Sequence, residues 1–331
     1  MTTISRTLSQ QIDKYFSEFL DDNHVTEICF NGQENRLFVL YDNGKWKTIE
    51  KEISKASVEN FVRAIASDKG GVSLDEAKPI LSAKIPERIQ IVMNPATKKE
   101  YISLTIRKPS QKKITMEEYE KQGIFNLVNI EDHDEDILLE HYEKKEFQKF
   151  IIEAVKKKKT IIVAGATGSG KTTFLKTLID YIPMNDRIIS IEDVEELVFD
   201  EDRNFVQLFY PSEAKSTDFL NASTLTKSLL RMRPDNIILA ELRGGETFDF
   251  INIINTGHGG SMSSCHAGSV EEAFSRLIMM SLLNENAQQM PYDAIKEMIY
   301  NTIDVMIHID VKNNQRHISE IYYKDATKEI K

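Results

Sequence analysis

The chain shows two patterns of apolar and polar residues, and the change between them falls near residue 110. In the first part, short stretches rich in β-branched and aromatic residues lie between amphipathic segments, which predicts a small α+β domain over residues 1–110. The turn sequence Asp42-Asn43-Gly44 favours a hairpin between two of the strands. The predicted strands are Thr26–Asn31, Arg36–Tyr41, Lys45–Ile49, Arg88–Met93 and Tyr101–Ile106, and the predicted helices are Leu8–Leu20 and Val58–Ser67.

From residue 147 onward, helical segments alternate with short apolar strands. Such alternation predicts an α/β domain on a doubly wound, mainly parallel sheet over residues 147–331. The last two segments, Val305–Val311 and His317–Tyr322, predict a closing hairpin. The other predicted elements are the helices Phe147–Lys157, Lys171–Tyr181 and Ser223–Arg231 and the strands Thr160–Ala164, Arg187–Ile191 and Asn236–Ala240.

Residues 111–146 differ from both flanking parts. They are first rich in lysine and then rich in acidic residues, with few long apolar runs. We expect a linker there that contains one or two short helices, and we interpret the acidic stretch Glu131–Asp136 as a solvated surface.

Overall composition indicates a globular protein with two domains and excludes several classes. The 331 residues are 41% hydrophobic and 28% charged, and the net charge of −10 argues against a dedicated binder of duplex DNA. No apolar stretch approaches the ~20 residues that cross a bilayer, and Met1–Gln11 lacks the apolar core of a signal peptide, so we expect a cytoplasmic protein. Cys29 and Cys265 lie too far apart in the sequence to suggest a disulfide framework or a metal cluster.

The most specific chemical signal is the segment Gly165–Thr172, which fits the pattern G-x-x-x-x-G-K-[ST] in full. It follows an apolar strand and opens a helix, so backbone N–H groups and the positive end of the helix dipole can hold phosphates. Lys171 is expected to reach the β- and γ-phosphates of ATP, and the Thr172 hydroxyl is expected to bind Mg²⁺. The predicted nucleotide-binding residues of this loop are Gly165, Ala166, Thr167, Gly168, Ser169, Gly170, Lys171, Thr172 and Thr173.

A carboxylate, Glu241, ends the apolar strand Ile237–Ala240. We expect this strand to lie beside the P-loop strand, so that Glu241 points towards Mg²⁺ and the attacking water. Glu241 could bind Mg²⁺ through water or polarise the nucleophile, and a helix cap is the structural alternative.

A second group of carboxylates follows the strand Ile188–Ile191. Four carboxylates within five residues repel one another unless a cation is near or they point apart, so a solvated loop is one interpretation. Their position at the carboxyl end of a core strand favours a functional role, since ligands bind at that edge of doubly wound sheets. The four residues are Glu192, Asp193, Glu195 and Glu196.

The glycine-rich segment Thr256–Gly268 carries His258 and His266 on either side of a possible strand. A neutral imidazole can hydrogen-bond a γ-phosphate or sense its loss, although a pair of histidines is often structural. The spacing does not suit zinc, and Cys265 is interpreted as a small buried residue.

Four segments in this order resemble the secretion ATPase superfamily: the P-loop, the acidic box Ile189–Glu196, the segment Leu230–Arg243 and the histidine box Thr256–Gly268. Within that superfamily, the short chain and compact N-terminal domain most resemble the hexameric traffic ATPases of type IV secretion and conjugation systems. The resemblance implies a RecA-like P-loop ATPase domain at the C-terminus, with ATP and Mg²⁺ as its ligands.

The resemblance also implies roles for residues near the phosphates. Lys171, Glu196, Glu241 and His266 match the catalytic set, with Glu196 as the carboxylate that activates water. Glu241 and the P-loop threonine match the residues that serve Mg²⁺. His258 shares with His266 the box that couples the phosphate to its neighbours.

Three arginines complete the implied nucleotide site. Arg88 and Arg107 match N-terminal arginines that reach towards the nucleotide, and Arg233 matches an arginine placed near it. Each could instead form a structural salt bridge. An arginine supplied by a neighbouring domain or subunit would make hydrolysis depend on assembly.

The implied function is a hexameric ATPase in which ATP-driven domain closure powers substrate translocation or pilus assembly in type IV secretion. Its expected partners are further copies of itself in a ring, other secretion-system subunits at the cytoplasmic face of the inner membrane, and a translocated protein or DNA substrate. The alternatives are a type II secretion or pilus retraction ATPase, a nucleic-acid motor, and a non-catalytic nucleotide switch. Acidity weighs against direct nucleic-acid binding.

Overall fold

The structure, a computed structural model, describes residues 4–68, 71, 74–109, 114–126, 134–215 and 217–328. It contains two β-sheets, one antiparallel and one mainly parallel, which confirms the expected mixed α/β class. No helix within those ranges is long and apolar enough to cross a membrane.

The first sheet has six antiparallel strands in the order β3-β2-β1-β6-β5-β4. Three helices share one apolar core with it. The strands are β1 (Val25–Phe30), β2 (Arg36–Tyr41), β3 (Trp46–Glu50), β4 (Ile80–Lys84), β5 (Arg88–Val92) and β6 (Ser103–Arg107), and the helices are α1 (Arg6–Tyr15), α2 (Ser17–Asp21) and α3 (Lys55–Asp68).

Two details of this half differ from the prediction. The expected single helix Leu8–Leu20 is two helices, because Phe16 has φ −128° and ψ −13°, outside the helical range. Strand β4 was not predicted. Only Leu81 and Ala83 of its five residues are buried, so the alternating pattern is short and weak.

The second sheet has seven strands in the order β13-β12-β7-β11-β10-β8-β9. All neighbouring pairs are parallel except β12 and β13, which form the expected closing hairpin. The strands are β7 (Ile161–Gly165), β8 (Ile188–Glu192), β9 (Phe205–Phe209), β10 (Asn236–Leu242), β11 (Met262–Cys265), β12 (Val305–Lys312) and β13 (Gln315–Tyr323). The helices that follow residue 110 along the chain are α4 (Met116–Lys121), α5 (Asp134–Glu143), α6 (Phe147–Lys156), α7 (Lys171–Ile179), α8 (Ala222–Leu229), α9 (Glu246–Asn255), α10 (Val270–Ser281), α11 (Tyr292–Thr302) and α12 (Lys324–Lys328).

The expected adjacency of the P-loop strand and the Glu241 strand is wrong. Strand β11 lies between β7 and β10 and pairs in parallel with both. The segment between the two histidines is therefore a full core strand, which carries His266 to the same sheet edge as the P-loop and Glu241.

Burial on both faces explains why β7 is apolar throughout. Ile161 and Val163 face the core formed with α5, α6 and α7, whereas Ile162 and Ala164 face the core formed with α8 to α11. All four are fully buried. Successive strand residues point to opposite faces, so a parallel strand covered by helices on both sides has no solvent-exposed position for a polar side chain.

The predicted linker, residues 111–146, is only partly described. Residues 110–113 and 127–133 lie outside the described ranges, and with them part of the acidic stretch Glu131–Asp136. Leu138 of α5 is fully buried in the same apolar core as Phe150 of α6. The end of this region therefore packs on the second sheet, and the boundaries at 110 and 146 stay predictions.

A buried polar cluster joins the two sheets. Arg187, fully buried just before β8, donates through Nη1 to Asn31 Oδ1 at 2.9 Å and through Nε to the Met232 carbonyl at 3.0 Å. Trp46 Nε1 donates to Asp235 Oδ2 at 2.8 Å. The first sheet thus rests where β8 and β10 begin, and the P-loop lies at the opposite edge of the second sheet.

Candidate nucleotide-binding site

The P-loop connects the buried end of β7 to the first turn of α7. Gly165 ends the strand, and a Cβ there would lie 2.4 Å from the Ile309 carbonyl oxygen, so β12 packs too closely for any side chain. Gly170 has φ +97°, a left-handed conformation that glycine adopts without strain, and α7 begins at the next residue. The loop therefore presents its backbone at the N-terminus of a helix, the arrangement that binds phosphate groups.

The loop also contains a hydroxyl that is available to a ligand. Ser169 is 1% exposed, and within the described part of the chain its Oγ has no hydrogen-bond partner. Buried hydroxyls are normally paired, so an unpaired one inside a glycine-rich turn fits a bound oxyanion. Thr172 is half-buried in the first turn of α7, where its hydroxyl could serve a metal ion bound to the phosphates.

The Lys171 side chain folds back onto this loop. Its Nζ donates to the Ala166 carbonyl at 3.0 Å and lies 3.3 Å from His266 Nδ1. Burial lowers the pKa of the Lys171 ammonium below its ordinary value, while the nearby Glu241 carboxylate opposes that change. A phosphate would compensate the lost hydration and hold the ammonium in its charged form.

His266 and Glu241 stand behind Lys171, at the ends of two neighbouring strands. His266 follows β11, and its Nε2 lies 2.7 Å from Glu241 Oε1 near the end of β10. The imidazole therefore lies between a cation and a carboxylate, and each of its two ring nitrogens contacts one of these groups. Of the predicted catalytic residues, Lys171, His266 and Glu241 meet in one place.

One residue of this network, Arg243, was not singled out by the sequence analysis as a site residue. Arg243 Nε donates to Glu241 Oε2 at 2.7 Å, and its Nη1 donates to Asp193. A guanidinium can bridge two carboxylates because its five N–H groups form a planar fork. The signal in the sequence was an arginine two residues after the strand carboxylate, but its bond to Asp193 spans fifty positions of the chain.

The acidic box is ordered around its buried first member. Glu192 is fully buried and accepts bonds from Ser190 Oγ at 2.7 Å and Gln207 Nε2 at 3.1 Å, and from the N–H groups of Glu196 and Leu197 at 2.9 and 2.8 Å. It therefore fixes the loop that follows β8, and its own oxygens are occupied by the protein.

The other three carboxylates of the box point apart. Asp193 pairs with Arg243, Glu195 pairs with Lys98 at 2.7 Å, and Glu196 is exposed. The expected repulsion among the four carboxylates is reduced because they point apart and two of them pair with cations. Among the described residues, Glu196 is held only through its backbone N–H, and its expected role as water-activating carboxylate stays a prediction.

His258 lies elsewhere. It precedes β11, and its Nδ1 is 3.3 Å from the Ile253 carbonyl at the end of α9. Because β11 and β7 are parallel, a residue before β11 lies at the sheet edge opposite the P-loop. The structure brings His266 to the phosphate-binding loop and leaves His258 at the far edge.

The three predicted arginines form a separate basic cavity. Arg88 and Arg107 face each other across β5 and β6, and they line a cavity of about 500 Å³ together with Arg233 and Glu27. Arg107 Nε lies 3.5 Å from Glu27 Oε1. Burial raises the pKa of Glu27 to about 7, although the charges of Arg107 and Arg233 oppose the rise.

This basic cavity is remote from the P-loop of the same chain. Arg233 lies just before β10, whereas Glu241 is near the other end of that seven-residue strand. A strand rises about 3.3 Å per residue, so the two ends of β10 are about 20 Å apart. Within one chain, these arginines do not join the P-loop site.

Comparison with known proteins agrees with this geometry. The sequence matches the family of type II/IV secretion system proteins over residues 10–309. The chain belongs to this family. Its sequence is 42% identical to that of the type IV secretion system protein VirB11 of Brucella abortus, and the match covers 94% of this chain and 88% of that one. It is 35% identical to the type IV secretion system protein PtlH of Bordetella pertussis, over 93% of each.

The fold of this secretion system protein is likewise shared. The crystal structure of the VirB11 ATPase from the Brucella suis type IV secretion system, in complex with sulphate, matches with a TM-score of 0.89 and 38% identity. The match covers 98% of this chain and 96% of that one. The expected secretion ATPase superfamily, its type IV branch and the RecA-like ATPase fold are thereby confirmed.

Proposed function

We propose that this type IV secretion ATPase hydrolyses ATP with the help of Mg²⁺ at the P-loop. The observation that carries the proposal is the contact of His266 with both Lys171 and Glu241, directly beside a loop that can bind phosphate. A phosphate-binding loop alone suits a switch, whereas carboxylates placed near the terminal phosphate suit hydrolysis.

The P-loop would bind the triphosphate through backbone N–H groups and the Ser169 hydroxyl, with Lys171 at the β- and γ-phosphates. Thr172 and Glu241 would hold Mg²⁺, whose charge stabilises the developing negative charge on the phosphate oxygens. His266 would hydrogen-bond the γ-phosphate once Lys171 turns from the imidazole to the nucleotide.

Glu241 must exchange partners before it can serve the metal site. One of its oxygens faces His266 and the other accepts from Arg243. Nucleotide binding would therefore release Glu241 from Arg243, and Asp193 would retain that guanidinium. Glu196, on the exposed part of the acidic loop, would activate the attacking water when the site closes.

The arginine cavity supports a ring in which neighbouring chains share each nucleotide site. Arg88, Arg107 and Arg233 lie at the opposite sheet edge from their own P-loop, so they would contact the nucleotide of an adjacent copy. We propose a homohexamer, with hydrolysis that depends on assembly because the arginines stabilise transition-state charge across the interface.

In the cell, such a ring would act at the cytoplasmic face of the inner membrane together with other secretion-system subunits. Its ATP-driven opening and closing would power translocation of a protein or DNA substrate, or pilus assembly. The relatives at 35–42% identity are named as type IV secretion system proteins, which supports this setting.

The test is ATP hydrolysis measured against protein concentration, with mass recorded by light scattering on the same samples. Specific activity should rise as the hexamer forms and should vanish in Lys171→Ala. The control Lys176→Ala, in the last turn of α7, should keep it. Arg107→Ala should remove activity and leave ADP binding intact. A monomer with constant specific activity would refute the shared-site ring.

A further inference from the structure

His308 of β12 is the only buried histidine in the described part of the chain, with 4% of its surface exposed. Both ring nitrogens have a partner: Nε2 lies 3.2 Å from the Ala267 carbonyl oxygen, and Nδ1 bonds to Ser319 Oγ. A carbonyl oxygen can only accept, so Nε2 carries a proton and donates it to Ala267. The imidazole therefore joins the β12–β13 hairpin to the residue that follows His266.

The order of the strands explains how this contact crosses β7. Strands β12 and β11 lie on either side of β7, where His308 and Cys265 are both register partners of Ala164. Side chains alternate along a strand, so His308 shares a face with Met306, which packs in the same apolar core as Ala164. The small alanine on β7 allows the imidazole to pass over this strand to Ala267.

A β-bulge in β13 directs two further side chains to the same segment. The register shifts by one residue after His308, and Ser319 is left as the additional residue of β13. Consecutive residues of a regular strand point to opposite faces, whereas a bulge re-aims them. Here Ser319 bonds to the imidazole, and Glu320 Oε2 accepts from the Val270 N–H at 3.2 Å. The hairpin thus holds both ends of the segment Ala267–Val270.

His266 depends on this support because it lies beyond the end of its strand. Strand β11 ends at Cys265 and α10 begins at Val270, so residues 266–269 belong to neither a strand nor a helix. The His266 imidazole must nevertheless keep one nitrogen near Lys171 and the other near Glu241. A fixed carbonyl at the next residue limits rotation of the His266 backbone, and a misplacement of about 1 Å near reacting atoms can cost about a hundredfold in rate.

We propose that His308 is a positioning residue for ATP hydrolysis, which holds His266 at the γ-phosphate through the Ala267 carbonyl. The proposal rests on the proposed hydrolysis at the P-loop and adds a residue that touches neither nucleotide nor metal. Ser319 keeps the imidazole turned towards Ala267, because its hydroxyl bonds to Nδ1. The hairpin thereby acts on the site as well as closing the sheet.

The first experiment compares two amides at position 308. Glutamine can place its Nε2 where the histidine Nε2 lies and donate to Ala267, whereas the shorter asparagine reaches only Ser319. His308→Asn should therefore lower kcat for ATP hydrolysis about tenfold, while His308→Gln stays within about threefold of wild type and the Kd for ADP within about twofold in both. Ser319→Ala, a milder change, should lower kcat in the same direction. His24→Asn, the same change at an exposed histidine, is the matched control and should leave kcat unchanged.

A double-mutant cycle tests whether His308 acts through His266. It uses the Kd of a non-hydrolysable ATP analogue relative to that of ADP, so it does not depend on residual activity. His266→Ala and His308→Asn should each weaken the analogue about fivefold relative to ADP, and the double variant should lose no more than either alone.

Three outcomes would overturn the positioning role of His308. They are losses that multiply in the double variant, an unchanged analogue preference in His308→Asn, and equal kcat in His308→Gln and His308→Asn. A wild type that binds ADP but hydrolyses no ATP would refute the proposed function instead.

Discussion

Glu192 should be the strongest structural support of the acidic loop although it has no role in nucleotide contact. Its two carboxylate oxygens accept four hydrogen bonds, and the side chain is fully buried. Replacement by alanine leaves the Leu197 N–H and one Gln207 N–H without that acceptor inside the protein. A buried donor left unpaired costs about 1–3 kcal/mol, so we expect Glu192→Ala to lower the free energy of unfolding by roughly 3 kcal/mol.

That loss should be visible as a shift in melting temperature. For a folded unit of 150–250 residues, 1 kcal/mol corresponds to about 2–4 °C, so the midpoint of Glu192→Ala should fall by about 6–12 °C. Glu192→Gln keeps the shape and one acceptor, so its cost should be about 1 kcal/mol. The matched control is Glu195→Gln, whose exposed ion pair with Lys98 is worth about 0–1 kcal/mol.

The same variant separates positioning from binding. Glu192 holds the backbone N–H of Glu196, so its loss should lower kcat for ATP hydrolysis while the Kd for ADP stays within about twofold of wild type. The assays are scanning calorimetry, steady-state hydrolysis below the melting transition, and ADP titration. A Glu192→Ala protein that melts within about 2 °C of wild type, or that loses ADP affinity in step with kcat, would refute this reasoning.

Three further predictions concern other parts of the molecule. The pKa of Glu27 is raised from 4.5 in the unfolded chain to about 7 in the folded protein, so the folded state binds this proton more tightly. The free energy of unfolding should therefore fall by up to roughly 3 kcal/mol as the pH rises from 4.5 to 7. Glu27→Gln should remove most of this pH dependence. Gly165→Ala should abolish ADP binding or folding, because its Cβ would lie 2.4 Å from a carbonyl oxygen of β12, whereas Gly44→Ala, with open space around it, should cost about 1 kcal/mol of strain in a melting assay. Arg187→Ala should lower unfolding free energy by about 3–5 kcal/mol in urea titration, since it leaves buried amide and carbonyl oxygens unpaired between the two sheets; a cost below 1 kcal/mol would contradict the buried joint.

The P-loop could be predicted from the sequence because all its parts are consecutive. The strand, the glycines, Lys171 and the first turn of the helix lie within one short segment, and steric and dipole effects act between neighbours. The alternation of helices with doubly buried strands, as in β7, likewise identified the parallel sheet, since period and burial are local properties of the pattern.

The order of the strands could not be predicted in this way. Strand β8 follows β7 in the sequence but lies three positions away in the sheet, and β10 and β11 later fill the gap between them. No local pattern encodes which strand edges then pair. The Asp193–Arg243 pair and the placement of His266 against Lys171 depend on that order. His258 and His266 looked equivalent in the sequence, but the four-residue strand between them carries them to opposite edges.

The sequence by itself determined which chemistry this protein can perform: a phosphate loop, strand-end carboxylates and a histidine box in a recognisable order. Only the tertiary structure decided which of those groups meet, because distances between remote residues follow from strand order and domain packing. It united Lys171, His266 and Glu241 and placed Arg88 and Arg107 about a strand's length from their own P-loop. The sequence left open whether those arginines serve their own chain or a neighbour, and the sheet edge that they occupy favours a neighbour's site.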